Sequence, residues 1–227
     1  MNIINRKYDK LQEYSIEFMN AKPYPHIILD SFLDETFFSQ LDIDNFTKDP
    51  SKGLTFDTDL EKNKWTSKND KLSNNLKLIV DKLNSLEFIE NLQSLSKIEE
   101  LFSTTAGNTA LANYHEMYQS GFLGTHVDHS SEPNTGLPHV LNIILYLSKN
   151  WDKKWGGETV LANDDGTKIL KSIEYIPNRA VIFLHSPFTF HGVTKIHDNL
   201  TKRSTIYVDY YSKNFDPYKH LKLDFKN

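Results

Sequence analysis

His126 and Asp128, two positions apart in the stretch YQSGFLGTHVD, carry the first chemical signal in the chain. Side chains at i and i+2 leave the same face of a β-strand, so an imidazole and a carboxylate can reach one point together. One more donor completes a set that a metal can use. His191 in FTFHGV, far downstream at the end of another apolar, β-branched segment, is the candidate. Two histidines and one carboxylate on one face of an octahedral ion leave three positions open, the donor set of non-haem ferrous iron. A lone His-x-Asp arises by chance in many chains. Its glycine-punctuated, β-rich context and the distant third donor raise this one above chance.

The other histidines serve as controls. His129 points away from the His126 face if the strand continues, His139 sits beside Pro138, and His115 and His197 lie in polar segments. Each reads as a surface or hydrogen-bonded histidine. His185 differs, because its strand leads directly to His191, and it can line a pocket. In RSTIYVDYY, alternation puts Arg203, Thr205, Tyr207 and Asp209 on one face and the more apolar set Ser204, Ile206, Val208 and Tyr210 on the other. If the first face borders a polar cavity, Arg203 can take a carboxylate through two parallel charge-assisted bonds; a surface arginine after Lys202 fits the residue type equally well. Tyr146 shares a face with Ile144 and Asn142, and a buried phenol needs a partner, either such a carboxylate or the backbone. Asp209 either meets a cationic substrate or pairs with a neighbouring side chain. Trp151 and Trp155 read as packing at a barrel rim, with a substrate platform as the alternative.

These residues need elements to position them. Residues 1 to 20 read as a short polar lead, and His26 to Leu29 as a short strand. A helix is predicted over 34 to 46 from the stripe Leu33, Phe37, Phe38, Leu41 and Ile43, with Ser31 or Asp34 as its cap. Residues 47 to 69 are polar and turn-rich and read as a loop or irregular strands. Between 71 and 101 the period is helical, giving two helices broken near Ser85. From about residue 105 to Tyr211 short apolar runs alternate with turn signals, which indicates a β-sandwich or jelly roll. The expected fold is therefore α+β, mainly β, in a single domain over 1–227: a mainly helical support over 1–104 packed on a jelly-roll core over 105–212.

Composition excludes several classes. The 227 residues suffice for one domain with a real core. Lys plus Arg number 26 against 30 Asp plus Glu, a net charge of −4 that argues against a nucleic-acid surface. The chain has no cysteine, so disulfides, thiolate metal sites and thiol nucleophiles are excluded. The N-terminus has no apolar signal region and no run is long enough to span a membrane, so a cytoplasmic protein is expected, as a monomer or a homodimer.

Taken together, GFLGTHVDHS, NIILYLSKNWDKKWGGETVL, IPNRAVIFLHSPFTFHGV and KRSTIYVDYY, in this order, resemble the Fe(II)- and 2-oxoglutarate-dependent oxygenases, and among them the prolyl 4-hydroxylase-like branch. The resemblance covers residues 105 to 212 and extends more loosely to PYPHIILDSFLDETF. It implies a double-stranded β-helix with helices on its outside, and Fe(II), 2-oxoglutarate and dioxygen as cofactor and cosubstrates. It implies that His126, Asp128 and His191 are the iron ligands and that Arg203 and Tyr146 hold 2-oxoglutarate. Thr205, on the Arg203 face, and Tyr118, upstream of the His-x-Asp, join them as candidates, with Lys202 as a substitute for Arg203. Asp128 stands where iron halogenases carry Gly or Ala, which favours hydroxylation. The implied reaction is hydroxylation of an unactivated C–H bond, first of a prolyl residue in a protein or peptide. A small-molecule substrate such as a free amino acid or sugar is the alternative, and a non-catalytic binding module is the third reading. Substrate choice is expected to reside in loops 47–69 and 130–139.

Overall fold

The computed structural model describes residues 2–43, 49–103, 113–197 and 202–215. The polar lead is more ordered than its composition predicts. Two 3-10 turns, Arg6–Tyr8 and Leu11–Tyr14, run into α1 (Ser15–Asn20) and bury Tyr8, Leu11 and Phe18. Their apolar residues are too sparse to show a period, yet each is an anchor in the core. β1 (His26–Leu29) forms where the apolar run places it. The next helix is shorter than predicted: α2 spans Glu35–Ser39, with Asp34 accepting from the Thr36 and Phe37 amides. Leu41 and Ile43 are buried without being helical. The stripe thus marks the core and not the length of the helix; residues 44–46 lie outside the described residues.

Within 47–69 the strand alternative holds, and regularly: β2 (Gly53–Phe56) and β3 (Glu61–Ser67) form a β-hairpin. One half of β3 is polar and accessible, which hides the strand from composition, while Trp65, Thr66 and Ser67 are buried. Helices α3 (Asn74–Leu83) and α4 (Leu86–Ser96) are separated at Ser85, whose Oγ accepts from the Phe88 amide and caps α4.

The remaining strands are β4 (Phe102–Ser103), β5 (Tyr114–His126), β6 (His139–Tyr146), β7 (Thr159–Ala162), β8 (Ile169–Ile173), β9 (Ala180–Leu184), β10 (His191–Val193) and β11 (Arg203–Tyr211). All named pairings are antiparallel. β5 joins the two halves of one continuous curled sheet, pairing with β11 through its first half and with β10 through its second. One half runs β1-β9-β6-β11-β5 and the other β5-β10-β7-β8, a jelly roll curled around an interior. The β2–β3 hairpin pairs along β5, reaching Leu123 near the His-x-Asp.

Alternation sorts the residues between two cores. Leu141, Ile143 and Leu145 of β6, Ile182 of β9, and Ile206 and Val208 of β11 pack with helix residues such as Leu76, Ile79, Phe88 and Leu92. Ile144, Tyr146, Val181, Phe183 and, partly buried, Tyr207 turn to the other side, into the barrel. Each Leu, Ile or Phe buried under the helices contributes about 1.5–3 kcal/mol. The outer face therefore carries much of the stability and leaves the inner face for polar groups. No helix among the described residues is long and apolar enough to cross a membrane.

Candidate active site

β5 ends at His126 and β10 begins at His191, and the two residues are register partners across the sheet. Their rings lie 4.6 Å apart. This close approach of the strands depends on Gly192, where a Cβ would fall 2.6 Å from the Leu123 carbonyl oxygen. Asp128 follows β5 and completes the group: one ligand atom from each of His126, Asp128 and His191 lies within 4.8 Å of the others. His126 Nε2 is 3.2 Å from Asp128 Oδ1, and His191 Nε2 is 3.2 Å from Oδ2. The Nδ1 atoms face the carbonyls of Gly124 and Thr189, at 2.9 and 3.3 Å. A carbonyl takes the Nδ1 proton, so Nε2 is the atom each ring turns to the shared point.

Two further donors fix Asp128. Tyr207 Oη donates to Oδ2 at 2.5 Å and Asn142 Nδ2 at 3.0 Å. The Asn142 Oδ1 accepts from His139 Nε2, while His139 Nδ1 donates to the His129 carbonyl at 3.0 Å. Asp209 lies 3.3 Å from His139 Nε2, so Asp209, His139, Asn142 and Asp128 form one chain. Asp209 is thus a pairing carboxylate, matched by histidine. Burial alone would raise the Asp128 carboxyl, but the imidazoles beside it hold it well below the usual carboxylate range. Burial would likewise lower His126, and the bond to Asp128 lifts it above the usual imidazole value instead.

From the triad a narrow cavity of about 90 Å³ enters the barrel, walled by His115, Met117, Ile144, Arg203, Thr205 and Tyr207 among others. Arg203 is buried at its far side. Its Nε donates to the Gly157 carbonyl at 2.8 Å and its NH2 to Thr159 Oγ1 at 3.1 Å. The guanidinium stands 5.3 Å from the Tyr146 ring and 5.0 Å from that of Tyr175. Tyr146 Oη also meets Thr159, at 2.6 Å. No carboxylate among the described residues forms an ion pair with this buried cation. Such a charge is costly unless something anionic reaches it.

Of the sequence candidates, the structure brings together His126, Asp128, His191, Arg203, Thr205 and Tyr146. Tyr118 is not on the cavity wall; its hydroxyl donates to Glu116, which lines the cavity beside Met117. Lys202 also turns to Glu116, so it does not replace Arg203. His115, expected as a surface or hydrogen-bonded histidine, stacks on Tyr207, 5.8 Å away, and lines the cavity. His129 bonds Tyr211 Oη at 2.9 Å, and Trp151 packs on Trp155 and Tyr175 as rim structure. His185 lines a second, wider cavity of about 610 Å³ on another side of Asp128. Sequence reasoning missed the roles of Tyr207, Asn142, Thr159 and Tyr175. Alternation put the first two on the right faces, but their partners come from other strands.

The model of the 2OG-Fe(II) oxygenase superfamily matches residues 110–208. That stretch contains the whole triad, Arg203, strands β5 to β10 and most of β11. Residues 110–208 belong to the 2OG-Fe(II) oxygenase superfamily. The matched residues are accordingly those of a 2-oxoglutarate-dependent dioxygenase, a family that uses Fe(II), 2-oxoglutarate and dioxygen. Among solved structures, the chain is similar to a prolyl hydroxylase from Trichoplax adhaerens, in complex with a peptide fragment of the hypoxia inducible factor oxygen degradation domain. The identity is 14%, with 96% of this chain and 94% of that one covered and a TM-score of 0.64. It is also similar to a Pseudomonas putida prolyl-4-hydroxylase at 13% identity, covering 90% and 100%, with a TM-score of 0.62. A viral collagen prolyl hydroxylase from Paramecium Bursaria Chlorella virus-1, a 2OG complex, matches at 10% identity, covering 85% and 98%, with a TM-score of 0.52. At these identities the likeness is one of fold. No curated protein matches the chain. The donors present fit that cofactor set: two imidazoles and a carboxylate suit ferrous iron, and a buried guanidinium with no ion pair among the described residues suits a dicarboxylate.

Proposed function

We propose that this oxygenase hydroxylates a prolyl residue of a protein or peptide, with Fe(II) held by His126, Asp128 and His191 and 2-oxoglutarate anchored by Arg203, Tyr146 and Thr205. The observation that carries the site assignment is Arg203: a buried cation without an ion pair among the described residues, lining the same cavity as the triad, on the strand face it shares with Thr205. A carboxylate there accepts from guanidinium N–H groups not already turned to Gly157 and Thr159. Tyr146 stiffens the anchor through Thr159. Bound iron with 2-oxoglutarate and dioxygen supplies the oxidising power that breaks the C–H bond. The chain's own part is positional. Gly124 and Thr189 carbonyls orient the two imidazoles, Asn142 and Tyr207 orient the carboxylate, and the apolar barrel walls keep water from the reacting atoms.

Two observations support a peptide substrate. The wide cavity beside Asp128 has room beyond that of the narrow one assigned to 2-oxoglutarate, and its wall includes Pro138, Pro187, Phe190 and Phe215, suited to an apolar ring. The neighbours in fold include prolyl hydroxylases, one of them with a peptide. The test is an anaerobic titration of metal-stripped protein with Fe(II) and 2-oxoglutarate, followed by air and a proline-containing peptide. A visible charge-transfer band that His191→Ala abolishes, succinate on aeration and one added oxygen on the peptide are expected. Succinate coupled to free L-proline, with the peptide unmodified, would transfer the substrate to the small-molecule class. No band and no succinate would sink the site assignment.

A further inference from the structure

His185 is almost fully buried at the end of β9, on the wall of the cavity of about 610 Å³ that Asp128 also lines. Its ring is fixed by two contacts to His139. It stacks on His139 with centroids 3.9 Å apart and planes at 11°, and its Nδ1 lies 2.9 Å from the His139 carbonyl oxygen. A carbonyl only accepts, so Nδ1 carries the proton and Nε2 is a bare lone pair. That Nε2 is buried and has no hydrogen-bond partner among the described residues. Burial, together with the neighbouring His139, depresses the ring to a pKa of about 3, which keeps it neutral and its acceptor available. A buried acceptor without a partner costs free energy, and natural structures rarely leave one without a reason.

The cavity around it is built in advance. The Glu132 carboxylate accepts from the amides of Asn134 and Thr135, at 2.8 and 2.6 Å, and Gly136 turns the chain at a φ of +71°. Ser131 and Pro138 bridge the base of this loop, and the Ser212 amide donates to the Pro138 carbonyl at 3.0 Å. Opposite, the Thr189 hydroxyl accepts from the Ser186 amide at 2.8 Å and holds the turn carrying Pro187. A largely apolar cavity therefore has His185 on its wall, close to the metal ligand Asp128.

We infer that His185 Nε2 is a specificity-determining acceptor for the substrate: it takes a hydrogen bond from a backbone amide N–H of a bound peptide whose apolar ring lies against Pro138, Pro187 and Phe190. This rests on the peptide reading above and adds the contact that selects the segment. A site built around one acceptor discriminates strongly against a ligand that lacks the donor, because the acceptor is then left buried and unpaired.

The probe is an acetylated Ala-Pro-Gly repeat peptide with a fluorescent tag, its binding read by anisotropy on the full chain loaded with Fe(II) and 2-oxoglutarate without oxygen. A matched set carries an N-methyl group on one amide at a time. Wild-type protein should lose about tenfold in affinity when one particular amide is methylated. His185→Phe should bind the parent peptide about tenfold more weakly and be indifferent to that methyl group, whereas His185→Gln, which keeps an acceptor, should restore the discrimination. The methyl scan on wild-type protein decides the matter even if His185→Phe does not fold. A uniform response to methylation, or equal binding by wild type and His185→Phe, would overturn this inference and leave peptide hydroxylation standing. Failure of the wild-type protein to bind or oxidise any peptide in the set would overturn both.

Discussion

Four groups compete for the two oxygens of Asp128: His126 for Oδ1, and His191, Asn142 and Tyr207 for Oδ2. Asn142 and Tyr207 are the members that never bind metal in this arrangement, so they fix the carboxylate plane. Asn142 is itself locked, since His139 donates to its oxygen and leaves the amide NH₂ for Asp128. Partners of this kind typically account for about 10–100-fold in metal affinity. Asn142→Ala is therefore expected to weaken Fe(II) binding by about that factor in an anaerobic titration. An unchanged affinity would show that Tyr207 orients Asp128 alone. Arg203 illustrates the complementary case, where a missing partner is the signal. Arg203→Met removes a buried charge and should abolish the rise in melting temperature that 2-oxoglutarate gives the wild-type protein; a rise that persists would place the cosubstrate elsewhere.

At the scale of elements, the turn into β7 does as much for the site as any strand. Gly157 has a φ of +76°, a conformation that strains any L side chain, and its carbonyl accepts from Arg203. A Cβ there would also lie 3.2 Å from Arg203 Cδ and 2.9 Å from Trp151. Gly157→Ala should accordingly raise the KM for 2-oxoglutarate about tenfold while the Fe(II) affinity stays at the wild-type value, because the triad lies on β5 and β10. Equal losses in both would mean that the substitution unfolds the barrel rim and does not act on Arg203. The helical side behaves in the ordinary way. Ser85 caps α4 through the Phe88 amide, and Ser85→Ala should cost about 1 kcal/mol in a urea melt, without effect on metal binding.

At the scale of the molecule, buried titratable groups set the response of the metal-free protein to acid. His185 has its folded pKa depressed to about 3, below the unfolded value of about 6.5. It therefore contributes stability that is present above about pH 6.5 and lost as the pH falls toward about 3, at up to about 1.4 kcal/mol per pH unit. Asp128, also depressed, acts in the same direction at lower pH. His126, raised by Asp128, acts oppositely, its contribution fading as the pH rises through its folded pKa. Thermal melts from about pH 7 down to about pH 4.5 should show a steady loss, and His185→Gln should flatten it by about one proton's worth. A profile identical in the two proteins would show that His185 is protonated without penalty.

The sequence by itself determined the donor types and their faces. Alternation is a local property of a strand, so His126 with Asp128, Arg203 with Thr205, and Tyr146 with Asn142 could all be placed before any strand was paired. The helices broken at Ser85 were legible for the same reason, their period being local. Only the tertiary structure decided which strands meet. Register set His191 against His126, brought Thr159 and Gly157 to Arg203, and turned Tyr118 and Lys202 away to Glu116. It also paired Asp209 with His139 and left His185 Nε2 without a donor among the described residues. Hydrogen-bond partners across a jelly roll come from strands far apart in the chain, and their register follows from side-chain packing of the whole barrel, which no window of sequence contains.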